Sequence, residues 1–358
     1  MIGGSSGAIE SLRKVLPDLP PDLPAAVFVV IHLSPDSPNL LHLHVARWGS
    51  LPASQAVDGD PIQPGHIYVA RPDHHMTIEG EHVRVARGPR ENRHRPAIDP
   101  LFRTAAREYG PRVIGVILSG LQDDGSAGLY AVKQRGGVAI VQNPEDARWG
   151  EMPQRARAYA DPQYVLHTEE IAPALVRLVN SAPVETDMPN KPSAKESAKE
   201  SKKGNGKGNG LNQSTKPDAA TKPEDNLNAA YPEESEGVPS VFACPECHGV
   251  LWELREKELV RFRCRVGHSY GADSLTKELS AASEGALWAA MRALEAKAAM
   301  QRRIADGMGS EKVSKRLRDQ SAADDANARL IRAMIFHRDE KLETEEEKES
   351  KAPARKAS

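Results

Sequence analysis

VIGVILSGLQDDGSAG, residues 113–128, holds the pattern that decides the fold. Its first six residues are apolar and rich in β-branched side chains, too few for a helix and without polar alternation, as in a strand buried on both faces of a sheet. Ser119-Gly120 and then Asp123-Asp124-Gly125 turn the chain, and a helix pattern begins near Ala127 (AGLYAVKQRG). Strand, tight turn and helix form the repeating unit of a parallel sheet. Outward in both directions the unit recurs. AVFVVI (26–31) and VAIVQ (138–142) read as further buried strands, and helix patterns begin near Ala8 (AIESLRKVL), Asp99 (DPLFRTAAREYG) and Ile171 (IAPALVRLVN). The stretch from Gly65 to Ala86, HIYVA and then MTIEGEHVRVA, alternates and predicts an antiparallel ribbon turning at Glu79-Gly80. Residues 1–181 are therefore expected to form an α/β domain around a mainly parallel sheet.

After Ser181 the composition shifts to Lys, Ser, Gly, Asn, Pro and Glu, including SAKESAKESKKGNGKGNG at 193–210. Such a segment buries too little apolar surface to offset ordering entropy, so a disordered linker is expected over 182–238. A small cysteine-bearing module follows over 239–272. A helical segment over 273–338 has Leu287, Met291, Leu294 and Ala298 at helical spacing, with Leu330 and Met334 on a second stretch. Residues 339–358 are expected to be a charged, solvated tail. The 48 Lys+Arg against 50 Asp+Glu give a net charge of −2, no field that would gather nucleic acid or an anionic membrane. No apolar run reaches the roughly 20 residues of a membrane span and no signal peptide is recognisable, so the expected setting is cytoplasmic, with nothing membrane-inserted.

Three reactive residues fall at strand ends. Gly3-Gly-Ser5-Ser-Gly7 is a G-x-S-x-G turn before a helix pattern, His32 directly follows AVFVVI, and Asp124 lies beyond VIGVIL. In an open parallel sheet the C-terminal strand ends converge on one crevice. A serine nucleophile, a histidine base and an orienting aspartate could meet there, with the backbone N–H of Ser6 stabilising an oxyanion. Taken singly, each has a plainer reading: Ser5 as a helix cap, His32 as a loop residue, Asp124 as a turn former, with Asp123 competing for the orienting role. Arg93, His94 and Arg95 form a basic cluster that is either a solvated loop or a face for an acidic substrate.

IGGSSGA (2–8), IHLSP (31–35), DGDPIQPGHIYVARPDHHM (58–76), NRHRPAID (92–99), GVILSGLQDDGSAG (115–128) and QNPEDARWGEMP (142–153) together resemble the chemotaxis receptor methylesterases of CheB type. The resemblance spans nearly all of residues 2–180. It implies a doubly wound, Rossmann-like domain that hydrolyses glutamate γ-methyl esters on chemoreceptors without a cofactor, and in some members deamidates glutamine. It assigns Ser5, His32 and Asp124 to the triad and adds the Leu121 amide to the oxyanion site; separately, Arg93, His94 and Arg95 are expected to bind substrate. The family's usual receiver domain has no counterpart in the sequence given, so activation by its phosphorylation in cis is not expected. A serine elbow ordinarily follows a strand of about five residues, and only Met1 and Ile2 remain for it. On that ground a non-catalytic adaptor binding receptor helices is the rival expectation. A general small-molecule esterase is a weaker one, lacking an apolar acyl-pocket segment or lid. Ala8 stands where the family has a second glycine.

The only three cysteines lie in Cys244-x2-Cys247 and Cys264-x3-His268, the spacing of a closed Cys3His zinc site in a small ribbon. His248 is an alternative fourth ligand, though its adjacency to Cys247 is awkward, and three reduced buried cysteines are the plain alternative. A structural zinc, with a protein partner or the following helices docking on the module, is the expectation.

Overall fold

The computed structural model describes residues 1–181, 237–256, 259–307 and 310–350. The expected linker lies outside the described residues as far as 236, as does the tail from 351. Met1–Ser274 form one compact unit and the chain from Leu275 a second.

The first part of the larger unit alternates strands and helices: β1 (Ile2–Gly4), α1 (Ala8–Val15), β2 (Val27–Ile31), α2 (Leu41–Trp48), β3 (Ala53–Gln55), β4 (Ile67–Val69), β5 (His75–Glu79), β6 (His82–Ala86), α3 (Ile98–Tyr109), β7 (Ile114–Ile117), α4 (Ser126–Gln134), β8 (Val138–Gln142), α5 (Glu151–Ala160), β9 (Tyr164–Leu166) and α6 (Thr168–Asn180). Seven strands form one parallel sheet in the order β3-β4-β2-β1-β7-β8-β9. The chain winds one way from β1 through β2 and β4, then the other way through β7, β8 and β9. The switch point therefore lies at β1 and its neighbours, where a doubly wound sheet opens a crevice at its C-terminal edge.

The strands lack polar alternation because both faces are covered. Along β2, Val27, Val29 and Ile31 pack with α1, α2 and α6, while Phe28 and Val30 point the other way, toward α3 and α4. Each such aliphatic or aromatic side chain, fully removed from water, contributes about 1.5–3 kcal/mol. Truncating a fully buried one such as Phe102 to alanine costs about 3–5 kcal/mol through the cavity left behind.

The expectation of a missing first strand is corrected. Ile2–Gly4 pair with Val29–Ile31 on one side, and Ile2 and Gly3 with Val116 and Ile117 on the other, so the short β1 is held from both sides at the sheet centre. Glycines read as turn residues belong instead to the strand. A Cβ on Gly3 would lie 2.4 Å from Ile98 Cγ2, and one on Gly4 would lie 2.5 Å from Ala8 Cβ. Glycine in a strand here marks the close approach of α3 and α1. The antiparallel ribbon is confined to β5 and β6; HIYVA, expected as part of it, supplies β4 of the parallel sheet.

In the same unit, β10 (Val238–Ala243), β11 (Val250–Glu256), β12 (Leu259–Cys264) and β13 (Ser269–Gly271) form an antiparallel ribbon, with Phe242 edge-on to Phe262. Two helices follow, α7 (Ala272–Asp306) and α8 (Glu311–Ser350). From Leu275 on they pair as an antiparallel hairpin: Ser314 Oγ donates to Ala305 O at 2.7 Å, Ser321 Oγ to Ala298 O at 3.0 Å, and Arg332 to Glu295 at 2.9 Å. Met291 and Ala298 are buried as expected from their spacing, but Leu330 and Met334 are exposed; among the described residues of α8 the buried apolar ones are Ala328 and Ile335, alongside buried Ser314, Ser321 and Asp324. The helix also continues to Ser350, past the boundary at 338, through a Glu- and Lys-rich stretch of good helix formers. No described helix is long and apolar enough to cross a membrane.

Candidate active site

Ser5, His32 and Asp124 each follow a strand at the switch point: β1, β2 and β7. The Ser5 N–H donates to Ser119 O at 3.0 Å and the His32 N–H to Gly4 O at 3.1 Å, which sets Ser5 between the ends of β7 and β2. The elbow then bends into α1 through Gly7, whose φ of +78° is a left-handed conformation that costs any side chain energy. Ser119 clamps the bend. Its Oγ donates to Ser6 O at 2.8 Å and accepts from the Trp149 N–H at 2.9 Å, while its own N–H donates to Gln142 Oε1 at 2.9 Å. Among the described residues neither the Ser6 nor the Leu121 backbone N–H has a hydrogen-bond partner. Unpaired amides beside a nucleophile are the feature an oxyanion site requires.

His32 Nε2 lies 2.6 Å from Asp124 Oδ2, both side chains almost wholly buried. The same oxygen accepts the Ile98 N–H at 2.7 Å; Oδ1 accepts Asn92 Nδ2 at 2.9 Å and the Asp99 N–H at 3.3 Å. Asp124 thus sits at the N-terminus of α3, where free N–H groups and the helix dipole favour an anion. Burial works against its charge, but the hydrogen bonds from His32 and Ile98 outweigh that and hold its carboxyl well below the usual range. With Nε2 committed to Asp124, Nδ1 of His32 is buried without a partner and is the atom left to take a proton. No hydrogen bond joins Ser5 to His32 in this arrangement, a separation common before substrate binds.

Asp123, the rival for the orienting role, turns away and accepts from Ser274 Oγ. Asp99, with 2 % of its surface exposed, accepts the Gly128 N–H at 2.6 Å and Asn92 Nδ2 at 3.0 Å. Burial and then the charge of Asp124 push its carboxyl up to about 7. The basic cluster divides. Arg95 pairs with Asp73 (Nε to Oδ1, 2.8 Å) and donates to Gly88 O, a structural tie. His94 stacks on His32, and burial followed by the proximity of His32 drives its imidazole down to about 3. Arg93, at a φ of +72°, is exposed. Sequence reasoning missed Asn92, Asp99 and Ser119. The NRHRPAID motif contained the first two, and nothing in its pattern marked them as partners of a distant aspartate.

In the ribbon, Cys244, Cys247, Cys264 and His268 bring one ligand atom each to within 4.8 Å of the others. Cys247 Sγ and Cys264 Sγ are 3.5 Å apart, and His268 Nδ1 is 3.7 Å from Cys244 Sγ and 3.5 Å from Cys264 Sγ. A tetrahedral ion with metal–sulfur bonds of about 2.3 Å and a nitrogen ligand at about 2.0 Å needs edges of about 3.5–3.8 Å, so the group is shaped to hold a metal. His268, not His248, completes it. His268 Nε2 lies 3.2 Å from Glu246 Oε2, the carboxylate partner that metal-bound histidines ordinarily have.

Residues 1–175 match the family model described as CheB methylesterase. A Leptospira interrogans protein provisionally named a protein-glutamate methylesterase/protein-glutamine glutaminase is 35% identical over 179 residues, which are 50% of this chain and 93% of that protein. The Moorella thermoacetica protein of the same name is 38% identical over 186 residues, 51% of this chain and 44% of its own length. The crystal structure of the Thermotoga maritima CheB methylesterase catalytic domain is similar at 31% identity and a TM-score of 0.48, covering 49% of this chain and 96% of that domain. Since nearly the whole length of the Leptospira relative is matched at that identity, this chain belongs to the CheB methylesterase family.

Proposed function

We propose that this chain is a cytoplasmic protein-glutamate methylesterase acting on methyl-accepting chemoreceptors, with Ser5, His32 and Asp124 as its triad. The observation that carries the reading is the 2.6 Å bond from His32 to a buried, ionised Asp124 beside the Ser5 elbow. Ser5 Oγ attacks the ester carbonyl carbon while its proton passes to His32 Nδ1, and the Ser6 and Leu121 amides take up the charge on the carbonyl oxygen. His32 then gives the proton to the departing methoxide, releasing methanol. Water, deprotonated by His32, cleaves the acyl-serine to glutamate. A glutamine side chain follows the same steps with ammonia leaving. Throughout, Asp124 keeps the imidazole oriented and stabilises its cationic form. Arg93, beside His94 and Arg95, faces acidic residues flanking the ester on the receptor helix.

The adaptor reading rested on a defective first strand, and β1 is paired on both sides. We further assign zinc to the Cys3His group: thiolates with one imidazole and no vacant position suit a structural zinc rather than catalysis. The ribbon and following helices would then serve as a docking module for a regulator or partner protein.

The test is methanol release from a methylated chemoreceptor fragment. Ser5→Ala is expected to lower turnover by at least about 10³-fold with the fold intact. Turnover retained in that variant would refute the triad.

A further inference from the structure

The ribbon does more in this structure than gather a metal. Its β13 edge lies against the loop that carries Asn92, and three hydrogen bonds join them: the Asn92 N–H donates to Ser269 O at 2.7 Å, the Ser269 N–H to Arg90 O at 3.4 Å, and the Gly271 N–H to the side-chain Oδ1 of Asn92 at 2.8 Å. The last link matters most. With its Oδ1 held by Gly271, the Asn92 amide is fixed in the orientation that aims Nδ2 at both Asp124 Oδ1 and Asp99 Oδ2. Asn92 itself is 3 % exposed and held at a φ of +49°. Arg261 of β12 is also buried here, 3.1 Å from Ser269 Oγ and 3.8 Å from Glu91, which in turn pairs with Arg103 of α3 at 2.8 Å. Gly271 passes so close to Asp123 that a Cβ on it would lie 2.0 Å from Oδ2. His268, one of the four metal-holding residues, directly precedes β13.

From this geometry we infer that Asn92 is a positioning residue for the triad aspartate and that the metal-loaded ribbon holds it in place through Ser269 and Gly271, so that metal loading and ester hydrolysis are coupled. The inference rests on the proposed methylesterase reading, its triad and its metal assignment included. Metal binding orders the Cys264–His268 knuckle, the knuckle sets the start of β13, and β13 locks the Asn92 amide. Without the lock, Asn92 is free to turn, and Asp124 loses one of the four donors that fix the carboxylate against His32. The ionisable groups around that pair are His94 stacked on His32, Arg93 and Arg90 beside His94, Asp99 and Asp123 flanking Asp124, and Arg103 and Arg261 beyond Asp99.

Three forms of the full chain separate the possibilities: zinc-loaded, zinc-stripped by a chelator, and Gly271→Ala, which retains every metal ligand while its Cβ wedges β13 off Asp123. Zinc content, kcat and KM for methanol release, and the His32 titration followed by NMR are measured on each. The expected result is a full zinc complement in Gly271→Ala, with kcat lower by roughly tenfold and KM within about twofold. The His32 titration should be displaced in the same direction and by a similar amount in the variant and the stripped protein, a displacement that general loosening of the fold would not produce. An unchanged His32 titration and unchanged kcat in Gly271→Ala and in the stripped protein would overturn the coupling. A His32 titration that follows metal loading in a protein releasing no methanol would leave the coupling standing and refute the substrate assignment.

Discussion

The imidazole of His94 lies flat on that of His32, ring centroids 3.6 Å apart and planes 12° from parallel. Burial, and then repulsion by a charged His32, keep His94 neutral down to about pH 3, so the stack presents an uncharged, water-excluding face to the base. His94→Phe is expected to keep that face and most of the activity. His94→Ala admits water beside His32 and should lower kcat about tenfold. His94→Lys sets a cation against the imidazolium that forms in the transition state and should cost at least another tenfold, about 1.4 kcal/mol, with the loss easing as salt is added. Steady-state kinetics on the three variants at two ionic strengths checks the order; a Lys variant as active as the Ala variant would refute it.

The protonation of the buried acid beside the triad has a sign that can be tested. Asp99 is held up near 7 against 3.8 for an ordinary aspartate, so between those values the folded state keeps a proton that the unfolded state has lost, and stability rises as pH falls. His94 acts oppositely. Its folded value lies near 3 against 6.5, so stability is present above 6.5 and is lost as pH falls toward 3. Over the shared window from 3.8 to 6.5 the two trends oppose each other. Asp99→Asn removes the first and should make stability fall faster with acidification than in the parent chain, by up to about 1.4 kcal/mol per pH unit. Denaturant unfolding of both proteins across that window measures the difference in slope; parallel slopes would show that Asp99 is ionised in the folded state.

Gly7 tests the elbow. Its φ of +78° costs an L-residue about 1–2 kcal/mol, and a Cβ there would also sit 2.6 Å from Ser119 Oγ and 3.0 Å from Arg148 Cβ. Gly7→Ala is therefore expected to destabilise by at least about 2 kcal/mol and to displace Ser5, reducing turnover more than Ser119→Ala, which removes the clamp without adding bulk. Thermal unfolding and methanol release on the two variants distinguish strain from a lost hydrogen bond. Equal stability of Gly7→Ala and the parent would show that the turn relaxes freely.

How far the sequence discloses this architecture follows from the range of the forces involved. The strands 26–31, 113–118 and 138–142 are legible because burial on both faces demands unbroken apolar runs, and Ser5, His32 and Asp124 because a parallel sheet collects its strand ends. The central strand β1 was illegible: two of its three residues are glycines, selected by the approach of Ile98 and Ala8 from other elements rather than by strand propensity. HIYVA alternates like a hairpin strand, and only its pairing with β2 and β3 makes it part of the parallel sheet. Asn92 and Asp99 were hidden for a similar reason. Their roles depend on contacts to residues as distant in sequence as Asp124 and Gly271, which no local pattern encodes. In the Cys3His module the four clustered side chains come from local pairs at fixed spacing, so their meeting could be anticipated from the sequence; Glu246, inside the first knuckle, could not be distinguished from a solvated charge.

Glu246 supplies the last test. Its carboxylate lies 3.2 Å from His268 Nε2, so that with Nδ1 facing the cysteines the ring is fixed in one tautomer and made a stronger donor to a metal. Because the carboxylate is not itself one of the four side chains proposed to hold the metal, its removal should weaken the site without emptying it. Glu246→Gln retains a hydrogen-bond acceptor but not the charge, and is expected to lower zinc affinity about 10-fold; Glu246→Ala, which retains neither, about 100-fold. His268→Ala removes a ligand outright and should fall well below both. Competition against a chromophoric chelator ranks the three, and replacing zinc with cobalt reports the coordination sphere by its visible absorption. A tetrahedral thiolate spectrum identical in the parent and Glu246→Gln, with reduced affinity only in the latter, places Glu246 outside the coordination sphere and acting through His268. Equal affinity in all but His268→Ala would show that the carboxylate pairs with the ring without strengthening it.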